Sequence, residues 1–413
     1  MMADISVLNI LLHGEHIGAL TNVGHDRALF SFNEAYIESA NRPTLGLRFK
    51  DSFGELITEF KPTQTALMPY FSNLLPEGHL REYLSERAGV KSEREFFLLW
   101  ALGMDLPGAM TVTPDKDEVW PSDLDEDAEE NDDNEGKGLD DALRFSLAGV
   151  QLKFSAIREA SGGLTIPAKG MGGSWIVKLP STRFVGVPEN EYSMMELARL
   201  VGIDVPSINL IDVKDVENLP AGIGEMQGQA FAIKRFDRLK DGTPVHIEDF
   251  AQVFDVYPKD KYKKASSANI AQVIGAESNE KDISEFIRRL VFNTLIGNAD
   301  MHLKNWSLIY PDKRSAMLSP AYDFVSTIPY IEDEKAALNF SRTKRFDEFT
   351  FDELKHLAAR ALLPEKVVLD TAVETIALFH EHWQKEKSNL PLYSNVIEAI
   401  DKHINKVPIA TKA

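Results

Sequence analysis

The sequence contains no cysteine among its 413 residues. This absence excludes disulfide bridges and thiolate metal sites, and it suits a reducing compartment. No segment approaches the roughly 18 consecutive apolar residues of a transmembrane helix, so we expect no membrane span. The first residues, MMADISVLNILLHGEHIG, lack both a basic segment and a small-residue cleavage site. We therefore expect no secretory signal and a cytoplasmic location.

Basic residues are outnumbered, with 45 Lys and Arg against 64 Asp and Glu, and the formal net charge is −19. Most of this charge is local, because residues 115–141 hold 14 acidic and 2 basic side chains, whereas the rest of the chain holds 50 acidic and 43 basic ones. A run of like charge repels itself and buries little, so we predict an acidic, flexible linker over residues 114–142. Mimicry of nucleic acid by this segment is the alternative interpretation. The lack of a dense basic stripe argues against strong nucleic-acid binding by this chain alone.

The hydrophobic patterns divide the remaining sequence into three parts. Residues 1–113 combine short alternating strands with helical spacing and predict an α+β subdomain. Residues 143–245 predict a β-rich lobe that contains a helix, and residues 246–413 predict an α-helical lobe. This order places a cleft between two lobes, where sites for small molecules tend to lie.

The segment GNADMHLKNWSLIY, residues 297–310, crowds polar groups in front of an apolar strand. Asp300 and Asn305 are separated by the Asp-to-Asn interval of the protein-kinase catalytic loop. In that loop the aspartate takes the proton of the acceptor hydroxyl group, and the asparagine holds a magnesium ion. An ordinary surface loop explains the interval equally well when the segment is taken alone.

A second segment, LSPAYDFVST, fits the same chemistry. It places Asp323 where kinases carry another metal-binding aspartate in the sequence D-F-G, although Val325 replaces that glycine here. Magnesium bound together with phosphates needs only one or two carboxylates and an amide oxygen, which Asp323 and Asn305 provide. The alternative is an aspartate that caps a helix or a turn.

Lys178 lies in the apolar segment SWIVKLP and resembles the strand lysine with which kinases grip phosphates. A solvent-facing strand lysine is the commoner explanation for such a residue in isolation. The helix that follows has an apolar face that includes Met194 and Ala198, and Glu191 falls on this face at helical spacing. A buried carboxylate needs a cation, so we predict an ion pair between Glu191 and Lys178.

The nucleotide-contacting segments are less specific. AIKRFDR, residues 232–238, is an apolar strand that turns polar, as at the hinge where kinases bind adenine through the backbone, but a plain surface strand end has the same pattern. FSLAGVQLKFS contains Gly149 alone and is not a G-x-G-x-x-G loop. It still offers backbone N–H groups and Lys153 to phosphates. The alternative is a strand with a bulge at Gly149.

The segments SLAGVQLKFS, IVKLP, NEYSMMELARLVGI, AIKRFDR, GNADMHLKNWSL and LSPAYDFVS occur in the order seen in the HipA family, and FSNLLPEG and LPGAMTV resemble its N-terminal subdomain. The resemblance covers nearly the whole chain except the acidic segment. It implies an α+β, two-lobed, kinase-like fold with a β-rich N-terminal lobe, an extra α+β subdomain and an α-helical C-terminal lobe. HipA-like proteins are serine/threonine kinases that act as toxins of type II toxin–antitoxin pairs and are linked to growth arrest and persistence.

The resemblance also implies roles for individual residues. Asp300 is the catalytic base, and Asn305 and Asp323 hold Mg²⁺. Ser146 matches the serine that these kinases autophosphorylate, which ejects the phosphate-binding loop and inactivates the enzyme. The residues implied to contact ATP are Ala148, Gly149, Val150, Gln151, Leu152, Lys153, Lys178, Lys234, Arg235, Phe236, His302, Lys304, Asn305, Tyr322 and Asp323.

The implied partners are a HipB-like helix-turn-helix antitoxin, operator DNA bound through the complex, and a protein substrate. The best-known family member phosphorylates glutamyl-tRNA synthetase, so an aminoacyl-tRNA synthetase is the substrate that the resemblance suggests. Two alternatives stay open at this point. A small-molecule or lipid phosphotransferase would use an aspartate base and asparagine and aspartate metal ligands in the same way. A catalytically silent corepressor would need only the surfaces that bind its partners.

Overall fold

The structure is a computed structural model that describes residues 6–116, 153–158, 164–166, 172–181, 183–219, 226–331 and 335–411. The predicted phosphate-binding segment runs from Ala148 to Lys153, and all of it except Lys153 lies outside the described residues. The predicted autophosphorylation site Ser146 and nearly all of the predicted linker lie outside them as well.

The N-terminal part of the chain is built on an antiparallel sheet in the strand order β4-β3-β2-β1-β5. Side chains alternate along its strands, and in β3 Ala28, Phe30 and Phe32 are buried whereas Arg27 and Ser31 are exposed. The strands are β1 Ser6–Leu12, β2 Glu15–Asn22, β3 Arg27–Phe32, β4 Thr63–Gln64 and β5 Met110–Pro114. The helices of this part are α1 Glu34–Glu38, α2 Pro69–Ser72, α3 Gly78–Arg87 and α4 Glu95–Leu102.

The β-rich lobe is a mostly antiparallel sheet in the strand order β10-β7-β6-β8-β11-β9. Its strands are β6 Lys153–Arg158, β7 Leu164–Thr165, β8 Trp175–Lys178, β9 Ile208–Asp212, β10 Val216–Glu217 and β11 Gln229–Lys234. Helix α5, Val187–Leu200, packs on β9 and β11. Its residues Met194, Leu197 and Ala198 are fully buried, as the helical spacing predicts. The β6–β8 register sets Lys153 opposite Lys178, which brings two lysines to one end of the sheet.

The C-terminal lobe is mainly helical and also holds a small antiparallel sheet in the order β12-β13-β14. The strands are β12 His246–Asp249, β13 Ser307–Tyr310 and β14 Met317–Leu318. The helices are α6 Phe250–Val253, α7 Ser267–Glu277, α8 Glu280–Leu295, α9 Phe351–Ala361, α10 Glu365–Glu386 and α11 Ser394–Ile404. Asn279 caps α8 by accepting a hydrogen bond from the Asp282 N–H, and acidic residues in the first turn favour this start.

The N-terminal subdomain and the β-rich lobe share one hydrophobic core. In β11, Ala230 and Ala232 belong to the core of the N-terminal subdomain, whereas Phe231 and Ile233 belong to the core of the helical lobe. The β-rich sheet is therefore covered on both faces. The two-lobed, kinase-like α+β architecture predicted from the sequence is confirmed. Among the described residues, no helix combines the length and the apolar character that a membrane span requires.

Candidate active site

A cavity of about 400 Å³ lies between the β-rich lobe and the helical lobe. This volume falls within the range of about 300–1,000 Å³ that small-molecule sites occupy. Every described residue of the predicted site contributes to its lining. These residues are Lys153, Lys178, Glu191, Lys234, Arg235, Phe236, Asp300, His302, Lys304, Asn305, Tyr322 and Asp323.

The segment with the kinase-like interval forms a compact loop that ends in a 3₁₀ turn, Leu303–Asn305. The Asn305 side-chain amide nitrogen donates to the Asp300 carbonyl oxygen at 2.9 Å, and the Asp300 N–H donates to Asn298 Oδ1 at 3.0 Å. Because the nitrogen of the Asn305 amide is used inside the loop, its oxygen is left as an acceptor. The loop therefore fixes Asp300 and Asn305 relative to each other through its own polar groups.

The Asp300 carboxylate accepts a hydrogen bond from the Tyr262 hydroxyl group at 2.6 Å. Burial raises the pKa of Asp300, and the Tyr262 hydrogen bond opposes that rise. Burial and the charge of Asp300 raise the pKa of Tyr262, so the phenol remains a donor at neutral pH. The net pKa of Asp300 is still raised, and the Tyr262 hydrogen bond favours the ionised carboxylate, which is the form that can accept a proton.

Lys178 lies between two carboxylates at the end of β8. Its Nζ is 2.5 Å from Glu191 Oε1 and also contacts Asp323 Oδ1. Burial lowers the pKa of Lys178, but the charges of Asp323 and Glu191 more than offset burial and raise it. The ion pair with Glu191 that helical spacing predicts is present, and the residue Glu191 is 1% exposed. Lys178 is thus held from two sides at the edge of the cavity.

Asp323 follows the strand β14 in a strained backbone conformation. Its φ angle is +58°, in the left-handed region that costs a non-glycine residue about 1–2 kcal/mol. Burial alone would raise the pKa of Asp323, but the charges of Lys178 and Lys153 outweigh burial and lower the pKa to about 2. The carboxylate is therefore ionised. Strain of this kind concentrates where a side chain must point in a particular direction. The Asp323 side chain is 31% exposed and lines the cavity.

At the predicted hinge, two backbone N–H groups already make hydrogen bonds within the protein. The Lys234 N–H donates to the Ser207 carbonyl at 2.8 Å, and the Arg235 N–H donates to the Ser174 carbonyl at 2.9 Å. These two donors are therefore used within the fold, and an adenine would have to use other groups of this strand end. The Phe236 ring lies 5.7 Å from the ring of Tyr322, and both line the cavity.

Arg235 has a structural role that the sequence pattern does not reveal. Its guanidinium group is buried and pairs with Asp105 at 3.0 Å and with Asp237 at 2.8 Å. Asp105 belongs to the N-terminal subdomain, so this group ties the subdomain to the β-rich lobe. Arg235 lines the cavity, but its charged end is directed to these two carboxylates, and its predicted contact with ATP stays a prediction.

Three residues that sequence reasoning missed also meet at the cleft. Tyr262 contacts Asp300, and Glu77 of the N-terminal subdomain pairs with Lys304 at 2.6 Å and with Lys261 at 2.8 Å. Glu77 stands in FSNLLPEG, a segment that resembled the family without suggesting a role. No local pattern singles out Lys261 or Tyr262.

The donor set fits a magnesium ion that is bound together with phosphates. Asp323 offers an ionised and partly exposed carboxylate, and Asn305 offers an amide oxygen. Among the described residues, no group of three or more histidine, aspartate or glutamate side chains could hold a metal by itself. Magnesium is suited to such an incomplete set because it retains waters and takes phosphate oxygens as ligands.

A β-rich lobe and a helical lobe that enclose an aspartate–asparagine loop, a second aspartate and a paired lysine define a two-lobed, kinase-like protein. Sequence comparison gives the family. Residues 8–113 match the HipA N-terminal domain, and residues 145–383 match the HipA-like C-terminal domain. The chain therefore belongs to the HipA family, which confirms the resemblance found in its motifs.

Individual relatives agree with this assignment. The chain is 57% identical to the Sinorhizobium fredii protein named "Putative kinase Y4dM", over 99% of this chain and 98% of that protein. It is 25% identical to the Shewanella oneidensis serine/threonine-protein kinase toxin HipA, over 69% of this chain and 68% of the toxin. The structure of Shewanella oneidensis HipA with HipB and operator DNA matches with a TM-score of 0.70 and 20% identity, covering 97% of this chain and 95% of that one. This structural match supports the fold.

Proposed function

We propose that this protein is an ATP- and Mg²⁺-dependent protein serine/threonine kinase of the HipA toxin type. The observation that carries the proposal is the convergence of Asp300, Asn305, Asp323 and the Lys178–Glu191 pair on one cavity of nucleotide size. The pair Lys178–Glu191 lies more than 100 positions before Asp300 in the sequence, and the fold brings both parts of the chain to one cavity. The names of the relatives point to the same class of enzyme.

Each group has a role that follows from its surroundings. Asp300 accepts the proton of the attacking hydroxyl group, and the hydrogen bond from Tyr262 favours its ionised form. Lys178 contacts the phosphates, and Glu191 fixes its position. Asn305 and Asp323 would hold Mg²⁺, which neutralises phosphate charge when bound.

The remaining contacts of the nucleotide follow from the lining of the cavity. The strand end from Lys234 to Phe236 holds the adenine, with the rings of Phe236 and Tyr322 beside it. Lys153 supplies a second cation, and burial lowers its pKa to about 8, so most of the lysine stays protonated at neutral pH. We further propose that the segment Ala148–Leu152 covers the phosphates and that autophosphorylation of Ser146 inactivates the enzyme.

The proposal extends to partners of the same kind as those of HipA. The Shewanella oneidensis HipA structure contains HipB and operator DNA, and it matches nearly the whole of this chain. We propose a HipB-like helix-turn-helix antitoxin as inhibitor and corepressor partner, with operator DNA bound through the complex. The substrate is a cellular protein, with an aminoacyl-tRNA synthetase such as glutamyl-tRNA synthetase as the first candidate to test.

Intact mass after incubation with ATP and Mg²⁺ tests the chemistry directly. We expect the wild-type protein to gain one phosphate that maps to Ser146, and we expect no gain in Asp300→Ala or after chelation of the metal. If Asp300→Ala gained phosphate at the wild-type rate, the assignment of the base would be wrong. If the wild-type protein bound ATP by calorimetry but neither gained phosphate nor transferred it to a synthetase, the corepressor interpretation would replace the kinase.

A further inference from the structure

Glu77 belongs to the N-terminal subdomain, but its carboxylate reaches the catalytic loop of the helical lobe. Oε1 accepts a hydrogen bond from Lys304 Nζ at 2.6 Å, and Oε2 accepts one from Lys261 Nζ at 2.8 Å. The Glu77 side chain is 15% exposed, and both lysine side chains are 8% exposed. The three charges therefore form one largely buried cluster at the edge of the cavity.

The start of helix α3 brings this carboxylate into the cleft. Glu77 occupies the N-cap position of α3, but glutamate is not among the residues that favour this position, and its side chain makes no capping hydrogen bond. Both carboxylate oxygens instead accept hydrogen bonds from the lysines of the helical lobe. The contact with these lysines therefore determines the orientation of the side chain.

Lys304 is held by the N-terminal subdomain at two points. Besides Glu77, its ammonium group donates to the Asn73 carbonyl oxygen at 3.1 Å. An ammonium group has three N–H donors, so these contacts account for two and leave one for a group in the cavity. A lysine in this loop, next to Asn305, is suited to meet the transferred phosphate. Without the two acceptors, its four-carbon stem would be free to adopt many rotamers.

Lys261 connects the same carboxylate to the catalytic base. Its neighbour Tyr262 donates to Asp300, and its own carbonyl oxygen accepts a hydrogen bond from the Leu303 N–H at 3.3 Å. Burial raises the pKa of Glu77, but Lys304 and Lys261 lower it to about 2, so the carboxylate is ionised. One carboxylate thus organises both segments that carry the reacting groups.

We propose that Glu77 is a positioning residue for phosphate transfer, supplied by the N-terminal subdomain, which fixes Lys304 for contact with the transferred phosphate. The inference rests on the kinase function proposed above. Lys178 is held by Glu191 and Asp323 and has no contact with Glu77, so loss of Glu77 affects the rate of transfer more than the affinity for ATP. Misplacement of a catalytic group by about 1 Å can lower a rate by up to about 100-fold.

The test measures phosphate incorporation by intact mass at a series of ATP concentrations. We expect Glu77→Gln to lower the maximal rate by about 10- to 100-fold and to leave the half-saturating ATP concentration within about twofold of the wild type. Glu77→Asp keeps the charge on a shorter stem and should recover at least part of the rate. Glu86→Gln is the matched control, because Glu86 is an exposed glutamate on the same helix, and it should have the wild-type rate.

A double-mutant cycle separates positioning from a general effect on folding. If Glu77 acts mainly through Lys304, adding Glu77→Gln to Lys304→Met should cost much less than Glu77→Gln costs in the wild type, because only the contact with Lys261 is then left to lose. The proposal is overturned if the two losses multiply, if Glu77→Gln reacts at the wild-type rate, or if the aspartate variant is no faster than the glutamine variant. A wild-type protein that transfers no phosphate would refute the proposed function itself, and the role of Glu77 would fall with it.

Discussion

Removal of a single hydroxyl group, in the variant Tyr262→Phe, tests the role of Asp300 as the base. The Tyr262 hydroxyl group donates to the Asp300 carboxylate at 2.6 Å and opposes the rise in the pKa of Asp300 that burial causes. The hydrogen bond stabilises the ionised carboxylate, which is the form that accepts a proton. Without this hydrogen bond the pKa of Asp300 rises. At each pH on the acid limb of the rate profile, a smaller fraction of the enzyme then carries the ionised carboxylate.

The size of the effect follows from the exposure of the pair. A hydrogen bond to a charged group contributes about 1.5–3 kcal/mol when it is well shielded from solvent. Tyr262 is 40% exposed, so solvent weakens the bond and we take about 1 kcal/mol. This free energy corresponds to a roughly fivefold change in the ionisation equilibrium. We therefore expect Tyr262→Phe to be about fivefold slower than the wild type on the acid limb and equally fast on the plateau at higher pH.

The assay is the rate of phosphate incorporation across a pH series at saturating ATP and Mg²⁺. Tyr257→Phe is the matched control, because it removes a hydroxyl group from the same segment without contact to Asp300. An acid limb that stays in place, or that moves to lower pH, would refute the reasoning. A uniform loss of rate at every pH would also refute it, since the hydroxyl group would then act on position and not on ionisation.

Three further predictions concern buried charges. Glu191→Gln leaves Lys178 with one carboxylate in place of two, so calorimetry should show at least about tenfold weaker ATP binding. Arg235→Met leaves Arg238 as the remaining cation beside the buried Asp237 and should lower the free energy of unfolding in urea by about 3 kcal/mol, the low end of the range for a broken buried ion pair. Burial raises the pKa of Glu248 to about 7, so its stabilising contribution is complete below the usual glutamate pKa and is lost as pH rises through 7. A glutamine at this position does not ionise, so Glu248→Gln should not lose stability as the pH rises. The thermal midpoint of the variant minus that of the wild type should therefore increase between pH 5 and pH 8.

The parts of the site that sequence reasoning found are those in which the chemistry is local. Asp300 and Asn305 stand in one loop, and the hydrogen bond between them spans five positions. The inward position of Glu191 follows from helical periodicity, because Met194 and Ala198 mark the buried face of the same helix. In both cases the spacing of the residues along the chain determines how their side chains are placed relative to each other.

The contacts that sequence reasoning missed connect distant segments. Tyr262 meets Asp300 across 38 positions, and Lys304 meets Glu77 across 227. Periodicity predicts which face of an element is buried, but it does not identify the element that covers it. The predicted hinge shows the same limit, because the N–H groups of Lys234 and Arg235 are used by neighbouring segments that only the fold brings close. The proposed roles of Ser146 and of the segment Ala148–Leu152 remain predictions.

The N-terminal subdomain contacts both lobes, and this has a consequence for how the cleft can move. It shares a hydrophobic core with the β-rich lobe. It also contacts the helical lobe through buried groups, since the Asn73 side-chain amide donates to the Val256 carbonyl oxygen at 2.7 Å and Glu77 pairs with Lys304. A subdomain held to both lobes resists opening of the cleft, because each buried hydrogen bond that is broken costs about 1–3 kcal/mol. Any opening that separates the subdomain from the helical lobe should break the contact between Glu77 and Lys304. The lysine would be positioned for phosphate transfer only in the closed cleft, which couples closure to catalysis through a residue outside both lobes.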